Sequence, residues 1–211
     1  MSAMRAYHGF HEESSWIEPA LLQLTPEALQ KVMSADELKE YRVFLEKIVR
    51  LKPHTLSAEK EQILASAGRA LSTSGKAFRA LNDADLTFPD CVDEEGNKRP
   101  LTHGTFSLYL KDKDRTLRES AFNNLHETFG SFENTFCELL EGHVQKALFY
   151  ARVRGYSSNL DASLFPHEID TTVYFSLIDS AKKGLPELHK YLAFRKKKLG
   201  YKELHLYDMY V

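Results

Sequence analysis

What is scarce in this chain narrows the possibilities first. Among 211 residues there are two cysteines, Cys91 and Cys137, far apart and without CxxC spacing, which excludes a disulfide framework and the common thiolate metal and redox motifs. Both are read as buried or half-buried thiols in a reducing compartment. No window approaches the roughly 18 apolar residues of a membrane span, and the first twenty residues lack the apolar core of a secretion signal. The expectation is a cytoplasmic protein with no membrane partner. An excess of one charge is also missing: 28 basic and 30 acidic residues, mixed along the chain, leave a formal net charge of -2. Such a balance creates no field favouring nucleic acid, and no nucleic-acid partner is expected.

What is present is ordinary for a globular protein. With 43% hydrophobic and 27% charged residues the chain can build a core, and its length suits one large or two small domains. No repeat, linker or low-complexity stretch divides it, so it reads as a single helical region with a possible sub-boundary near 81–104.

The fold class expected is mainly α, a multi-helix array with one small β-hairpin at about residues 85–101 and a very long helix pattern at about 114–153. Residues 1–15 carry no strong pattern and begin without a cap, as though a helix were entered partway along. Trp16 to Leu24 reads as extended at first. Thr25, Pro26 and Glu27 then form an N-cap, a proline at the first helical position and an acidic first turn. Ser34 with Glu37 suggests a capping box for a helix whose buried face would hold Leu38, Tyr41, Phe44, Leu45, Ile48 and Val49, stopping before Pro53. Ser57 opens another helix, with Glu61 in its first turns, and a short one fits Gly75 to Leu81.

Asp85 to Phe88 and Lys98 to Leu101 read as strands around the turn Glu94-Glu95-Gly96-Asn97. From Asp114 the pattern is helical for some forty residues, with Phe129, Phe132 and Phe136 on one stripe. If continuous, that helix is about 60 Å long, against a diameter of about 43 Å for a compact chain of this size. It therefore either breaks near Gly130 or belongs to a larger body. After Pro166, one helix is expected from about Ile169 to Lys183 and a separate one from Pro186 to Gly200, its C-cap.

Chemistry is harder to find. The pairs His11-Glu12, His126-Glu127 and His167-Glu168 invite comparison with the H-E-x-x-H zinc helix, but the residues four beyond the histidines are Ser15, Gly130 and Thr171, so no second imidazole follows on the same face. Asn123, Leu140 and Pro186, three before His126, His143 and His189, likewise deny the Glu-x-x-His pairs of a di-iron bundle. There is no G-x-S-x-G elbow, P-loop or dinucleotide turn. The basic run Arg195 to Lys198 fits the last turns of a helix, where cations complement the dipole. No catalytic or metal-binding residue is assigned within the chain, and its substrate-binding residues are not read from sequence.

Several words in order carry a resemblance: SSWIEPALL, YRVFLEKIVRLKPHTLSAEKEQILA, NDADLTFP, LTHGTF, DRTLRESAFNNLHETF, FENTFCELLEGHVQKALFYARVRGY, LHKYLAFRKKKLG and ELHLYD. From about Ser15 to Tyr210 the chain resembles oligoendopeptidase F, a thimet-oligopeptidase-like zinc metallopeptidase family. The resemblance implies a mainly helical bacterial endopeptidase with a channel that admits short oligopeptides. It implies zinc in the full enzyme, held by two histidines of H-E-x-x-H and a downstream glutamate, with the motif glutamate as general base. That helix lies C-terminal to the matched region. The chain is thus expected to be the N-terminal and middle part of such an enzyme, a channel wall inactive alone and binding no zinc. Its partner would be the C-terminal catalytic domain of the same enzyme, or a second copy by self-association. The other reading is a free-standing helical module that binds peptides or a protein.

Overall fold

Capping side chains mark where four of the described helices begin, through Thr25, Thr102, Asp114 and Ser158. The computed structural model describes residues 17–211, so the expectations for residues 1–15 and for Trp16 lie outside the described part. Helix α1 covers Ile17–Gln23 and α2 covers Pro26–Met33. The Thr25 hydroxyl accepts from the Ala28 N–H at 3.3 Å, as its position before Pro26 predicts. The extended reading of the segment before it is corrected: Pro19 lies in the first turn of α1, where its missing N–H has no carbonyl to meet anyway.

Ser34 does not cap the following helix. Its hydroxyl turns back to donate to Lys31 O at 3.2 Å, and a 3-10 turn, Asp36–Tyr41, precedes α3 at Arg42–Leu51. Three residues per turn instead of 3.6 rotate the apolar stripe out of phase. Tyr41 and Phe44 consequently face solvent, and Leu45 and Ile48 are the residues buried. Helices α4 (Ala58–Leu71) and α5 (Thr73–Ala80) follow.

The first predicted strand is displaced. Leu81–Asp85 continues α5 as a π turn, closed by the Leu86 N–H to Leu81 O at 2.9 Å. The ladder forms beyond Pro89, which has no N–H to offer it: β1 is Cys91–Val92, β2 is Lys98–Arg99, antiparallel with Cys91 opposite Arg99. Asp93 locks the turn, its carboxylate accepting from the Asn97 N–H at 2.7 Å, the Asn97 amide at 3.2 Å and Arg99 at 3.2 Å. Burial would raise the Asp93 pKa, but these donors hold it below the usual carboxylate value. Gly96 takes φ +84, which the turn requires.

Helix α6 (His103–Tyr109) carries the ribbon into α7 (Arg115–Ser131), which Asp114 caps through Thr116 N and Leu117 N. The long pattern does break, at Phe132 rather than Gly130, and α8 runs Glu133–Val153. Each piece is then about 25–32 Å long. A short α9, Asn159–Leu164, precedes α10, Thr171–Leu199. The two helices expected there are one. Gly184 is accommodated without a positive φ, and Pro186 sits inside the helix with one backbone hydrogen bond forgone. Gly200, at φ +73, ends it as its sequence position implies.

The described residues are therefore mainly α-helical with one small hairpin, and form two compact units: residues 17–66 with 148–171, and residues 67–147 with 172–211. The second has a core of Cys91, Leu101, Leu117, Ala121 and Leu125 under Phe88, Phe106, Tyr109 and Phe129. Phe129 thus joins the core as expected, Phe132 is half exposed, Cys91 is buried and Cys137 is exposed.

Beside that core Arg118 is wholly buried, and all five of its N–H groups are used. Nε donates to Tyr207 O (3.0 Å), Nη1 to Asp112 O (2.9 Å) and Lys113 O (3.0 Å), Nη2 to Tyr201 Oη (3.1 Å) and Asp208 Oδ1 (2.9 Å). Asp208, equally buried, also accepts from Arg115 Nε (3.1 Å), Arg115 Nη2 (3.0 Å) and the His205 N–H (3.0 Å). Its burial would raise the carboxyl pKa, but these donors together hold it at about 2.

A depressed pKa means stability that is complete above the unfolded value near 4 and lost as pH falls through about 2. The contribution is about 2 kcal/mol. Replacing Asp208 by Asn leaves Arg118 buried without a counter-charge, a defect that costs about 3–5 kcal/mol. Urea unfolding at pH 7 is expected to show that loss, and a change under about 1 kcal/mol would refute the role given to the carboxylate. Acid titration of unfolding supplies an independent check: the unmodified chain should lose more stability between pH 5 and 2 than Asp208→Asn does.

Candidate functional site

The first unit contains a cavity of about 880 Å³, and the way the chain turns around Pro53 and Gly155 places its polar groups. Helix α3 ends at Leu51, and Lys52–His54 forms a 3-10 turn secured by the Thr55 hydroxyl on Leu51 O at 3.0 Å. At the far end of α8, Gly155 adopts φ +74. This allows the Tyr156 N–H to reach Ala151 O at 2.9 Å and the Gly155 N–H to reach Arg152 O at 3.1 Å, the paired bonds of a Schellman cap. The cap sets the backbone of Arg154 and the ring of Tyr156 against the turn.

Arg154 then binds in three directions. Its Nη1 donates to Glu61 Oε1 at 2.7 Å and to His54 O at 3.0 Å, and its Nη2 donates to Glu61 Oε2 at 2.8 Å. Glu61 Oε1 also accepts from the Leu56 N–H at 3.0 Å. The bidentate pair lowers the Glu61 pKa, chiefly through the Arg154 hydrogen bond, and raises that of Arg154 for the same reason. A carboxylate so engaged is a poor proton acceptor.

His54 is different. Its Nδ1 lies 2.9 Å from the backbone oxygen of Arg154. A carbonyl only accepts, so Nδ1 carries the proton, and in the neutral ring Nε2 is left as an acceptor. The imidazole stacks on Tyr156, ring centroids 3.6 Å apart at 13°, with the edge of Phe165 at 4.6 Å. Burial raises the Tyr156 phenol pKa. Leu22, Leu51 and Leu56 supply apolar wall. The combination of apolar walls, one fixed imidazole and a carboxylate engaged by a bidentate arginine suits binding of a side chain or short peptide segment more than proton transfer.

The histidines singled out in the sequence do not assemble. His11 and Glu12 lie outside the described residues. His126 Nδ1 meets Phe122 O at 2.7 Å on its own helix. Glu168, in the left-handed region at φ 58, pairs with Arg50 at 3.1 Å instead of joining His167. His143 and His189 are exposed. Within the basic run, Arg195 donates to Asp208 O at 3.1 Å and Tyr191 Oη at 2.9 Å, and Lys196 to Lys198 occupy the last turn of α10.

Among the described residues no three of His, Cys, Asp and Glu gather as a metal site. The zinc implied by the resemblance finds one free lone pair in the cavity, on His54 Nε2, since Glu61 is committed to Arg154 and His54 Nδ1 to a carbonyl, and zinc needs three or four protein ligands. The described residues lining the cavity do not fit that metal. Nor is any helix among the described residues long and apolar enough to cross a membrane.

The members of this site, His54, Glu61, Arg154 and Tyr156, escaped the sequence reading. Glu61 and Arg154 are 93 positions apart, and helical periodicity carries no information at that distance. The one local sign was Arg-Gly at the end of an apolar helix, which predicts the cap but not its partner.

Comparison with known proteins places the geometry in context. Residues 21–88 match the family model described as Oligopeptidase F, and residues 108–211 match Peptidase family M3. The chain is 39% identical to oligopeptidase PepF of Bacillus subtilis over 93% of its own length and 30% of that protein. It is 36% identical to the group B oligopeptidase PepB of Streptococcus agalactiae over 99% of its length and 35% of that protein. The crystal structure of oligoendopeptidase-F from Enterococcus faecium superposes with a TM-score of 0.83 at 41% identity, covering 93% of this chain and 38% of that one. A crystal structure from Chlamydophila abortus superposes with a TM-score of 0.91 at 40% identity, covering 98% of this chain and 35% of that one. The chain thus spans about a third of the length of these relatives. With the two models dividing most of its residues and the solved oligoendopeptidase-F superposing over 93% of it, the chain belongs to peptidase family M3, in its oligoendopeptidase F group.

Proposed function

We propose that this chain forms one wall of the peptide channel of a cytoplasmic zinc endopeptidase that cleaves short oligopeptides, and that the zinc and its general base belong to polypeptide beyond these residues. The observation that carries the reading is likeness along nearly the whole chain to proteins named as oligopeptidases, of which it spans about a third. In this reading the cavity beside His54 receives an apolar side chain of the peptide, and His54 Nε2 accepts one of its backbone N–H groups. The Arg154–Glu61 pair fixes the wall. Both Glu61 oxygens accept from Arg154, and Arg154 also donates to the His54 carbonyl, so in this reading the pair holds the imidazole in place rather than meeting the peptide.

The purified chain with added zinc should give no cleavage of quenched-fluorescent oligopeptides above background. Turnover abolished by a chelator would overturn the placement of the catalytic group elsewhere. A hybrid in which this chain replaces the matching third of the Enterococcus faecium oligoendopeptidase-F should cleave such peptides. In that hybrid Tyr156→Ala should raise KM at least threefold with kcat within twofold. A folded hybrid without activity would favour a free-standing interaction module.

Glu61→Gln removes the charge facing Arg154 and is expected to lower stability of the chain by about 1–3 kcal/mol. Thermal unfolding of the chain measures this. An unchanged transition would show the pair to be incidental.

A further inference from the structure

Helix α10 is 29 residues long, yet none of its residues is buried. Most of its exposed apolar residues share one face, with Phe175, 56% exposed, and Phe194, 63% exposed, lying off it. Tyr174, Leu177, Ala181, Leu185, Leu188 and Tyr191 follow steps of three and four, which on a helix is a single stripe. Leu177 is 69% exposed, Tyr191 50% and Leu188 48%. Asp179, Lys183, Glu187 and Lys190 lie on the other side, where Lys190 pairs with Glu187 at 2.8 Å. A helix ordinarily carries such a stripe to bury it.

Three occupants are conceivable, and their chemistry differs. An extended peptide brings an N–H and a C=O at every residue, all needing partners. The stripe offers two phenol hydroxyls, one of which, on Tyr191, already accepts from Arg195 at 2.9 Å. A second copy of this chain would meet a stripe about 27 Å long and 10 Å wide, burying roughly 500–600 Å² in total, well short of the roughly 1,200–2,000 Å² of a stable interface. A helix within the same folded body satisfies its own backbone and loses no freedom of association. The relatives supply such a body: α10 lies within the segment that superposes on 98% of this chain but 35% of the Chlamydophila abortus structure.

We propose that the Tyr174–Tyr191 stripe of α10 is an internal packing surface, covered by apolar helix faces of the remaining polypeptide of the peptidase, and neither a peptide-binding wall nor a homodimer seam. The inference rests on the membership in an oligopeptidase proposed above, and assigns α10 to the enzyme's core rather than to its channel.

Thiol accessibility tests it. In a Cys137→Ser background, Leu177→Cys, Leu188→Cys and the control Lys183→Cys are alkylated in this chain alone and in the Enterococcus faecium hybrid. The first two should react at least tenfold more slowly in the hybrid, and the control equally fast in both. Equal rates at all three positions overturn the proposal, as does a hybrid that does not fold, since a fitting surface is what is claimed. Sedimentation of the unmodified chain should show a monomer at micromolar concentration. A dimer dispersed by Leu177→Glu with Leu188→Glu would assign the stripe to a second copy instead. Saturating oligopeptide should leave the Leu188→Cys rate in the hybrid unchanged, and protection by peptide would assign the stripe to the channel. Occluded thiols in an inactive hybrid would leave this inference standing and sink the catalytic reading, whereas exposed thiols in an active one would do the reverse.

Discussion

A buried guanidinium is tolerated only when every donor it carries is used, and this requirement organises the second unit around Arg118. Five N–H groups find five acceptors, drawn from the loop before α7, from Tyr201 and from Tyr207 and Asp208 near the end of the chain. Three of those acceptors lie more than 80 positions away in sequence. The residues after α10 must therefore return to α7, whatever their own weak propensities. Asp208 completes the arrangement with two arginines and a backbone N–H. Arg115 in turn lies over the Tyr201 ring at 4.5 Å, so the same residues supply apolar cover. Breaking such a buried pair by removing one partner costs far more than replacing the whole set by apolar residues of similar volume.

The same logic recurs in the first unit at smaller scale. Arg154 ties the start of α4 to the turn after α3 through one carboxylate and one carbonyl, and the imidazole between them is held in one tautomer. These polar knots share a property: each joins segments far apart in the chain, and each member looks unremarkable in its local setting. Arg154 reads as a basic residue at a helix end, Glu61 as an acid in a first turn.

This explains which features the sequence disclosed. Interactions within one turn were legible: the Thr25 cap before Pro26, the Asp114 cap, the glycine stop at Gly200 and the mainly helical class all follow from neighbours three or four residues away. Features decided by competition were not. The ladder starts at Cys91 rather than Asp85 because α5 extends by a π turn before Pro89 releases the chain. The α10 helix runs through Pro186 because one forgone hydrogen bond is less costly than two further helix ends, each with four unpaired backbone groups. The family likeness was legible for another reason: it is carried by the order of many short words, no one of which specifies a contact.

Polar and apolar surface are treated differently in the described residues. Among the described residues no buried side-chain nitrogen or oxygen lacks a partner. A buried polar group left unpaired penalises the fold at once, so such groups must be satisfied within the unit that buries them. Exposed apolar area carries no comparable local penalty. It only forgoes a gain of roughly 25 cal/mol per Å², which another part of a larger protein can supply on packing. Arg118 and the α10 stripe are the two sides of that difference: the first is closed by acceptors within its own unit, and the second leaves its apolar area open.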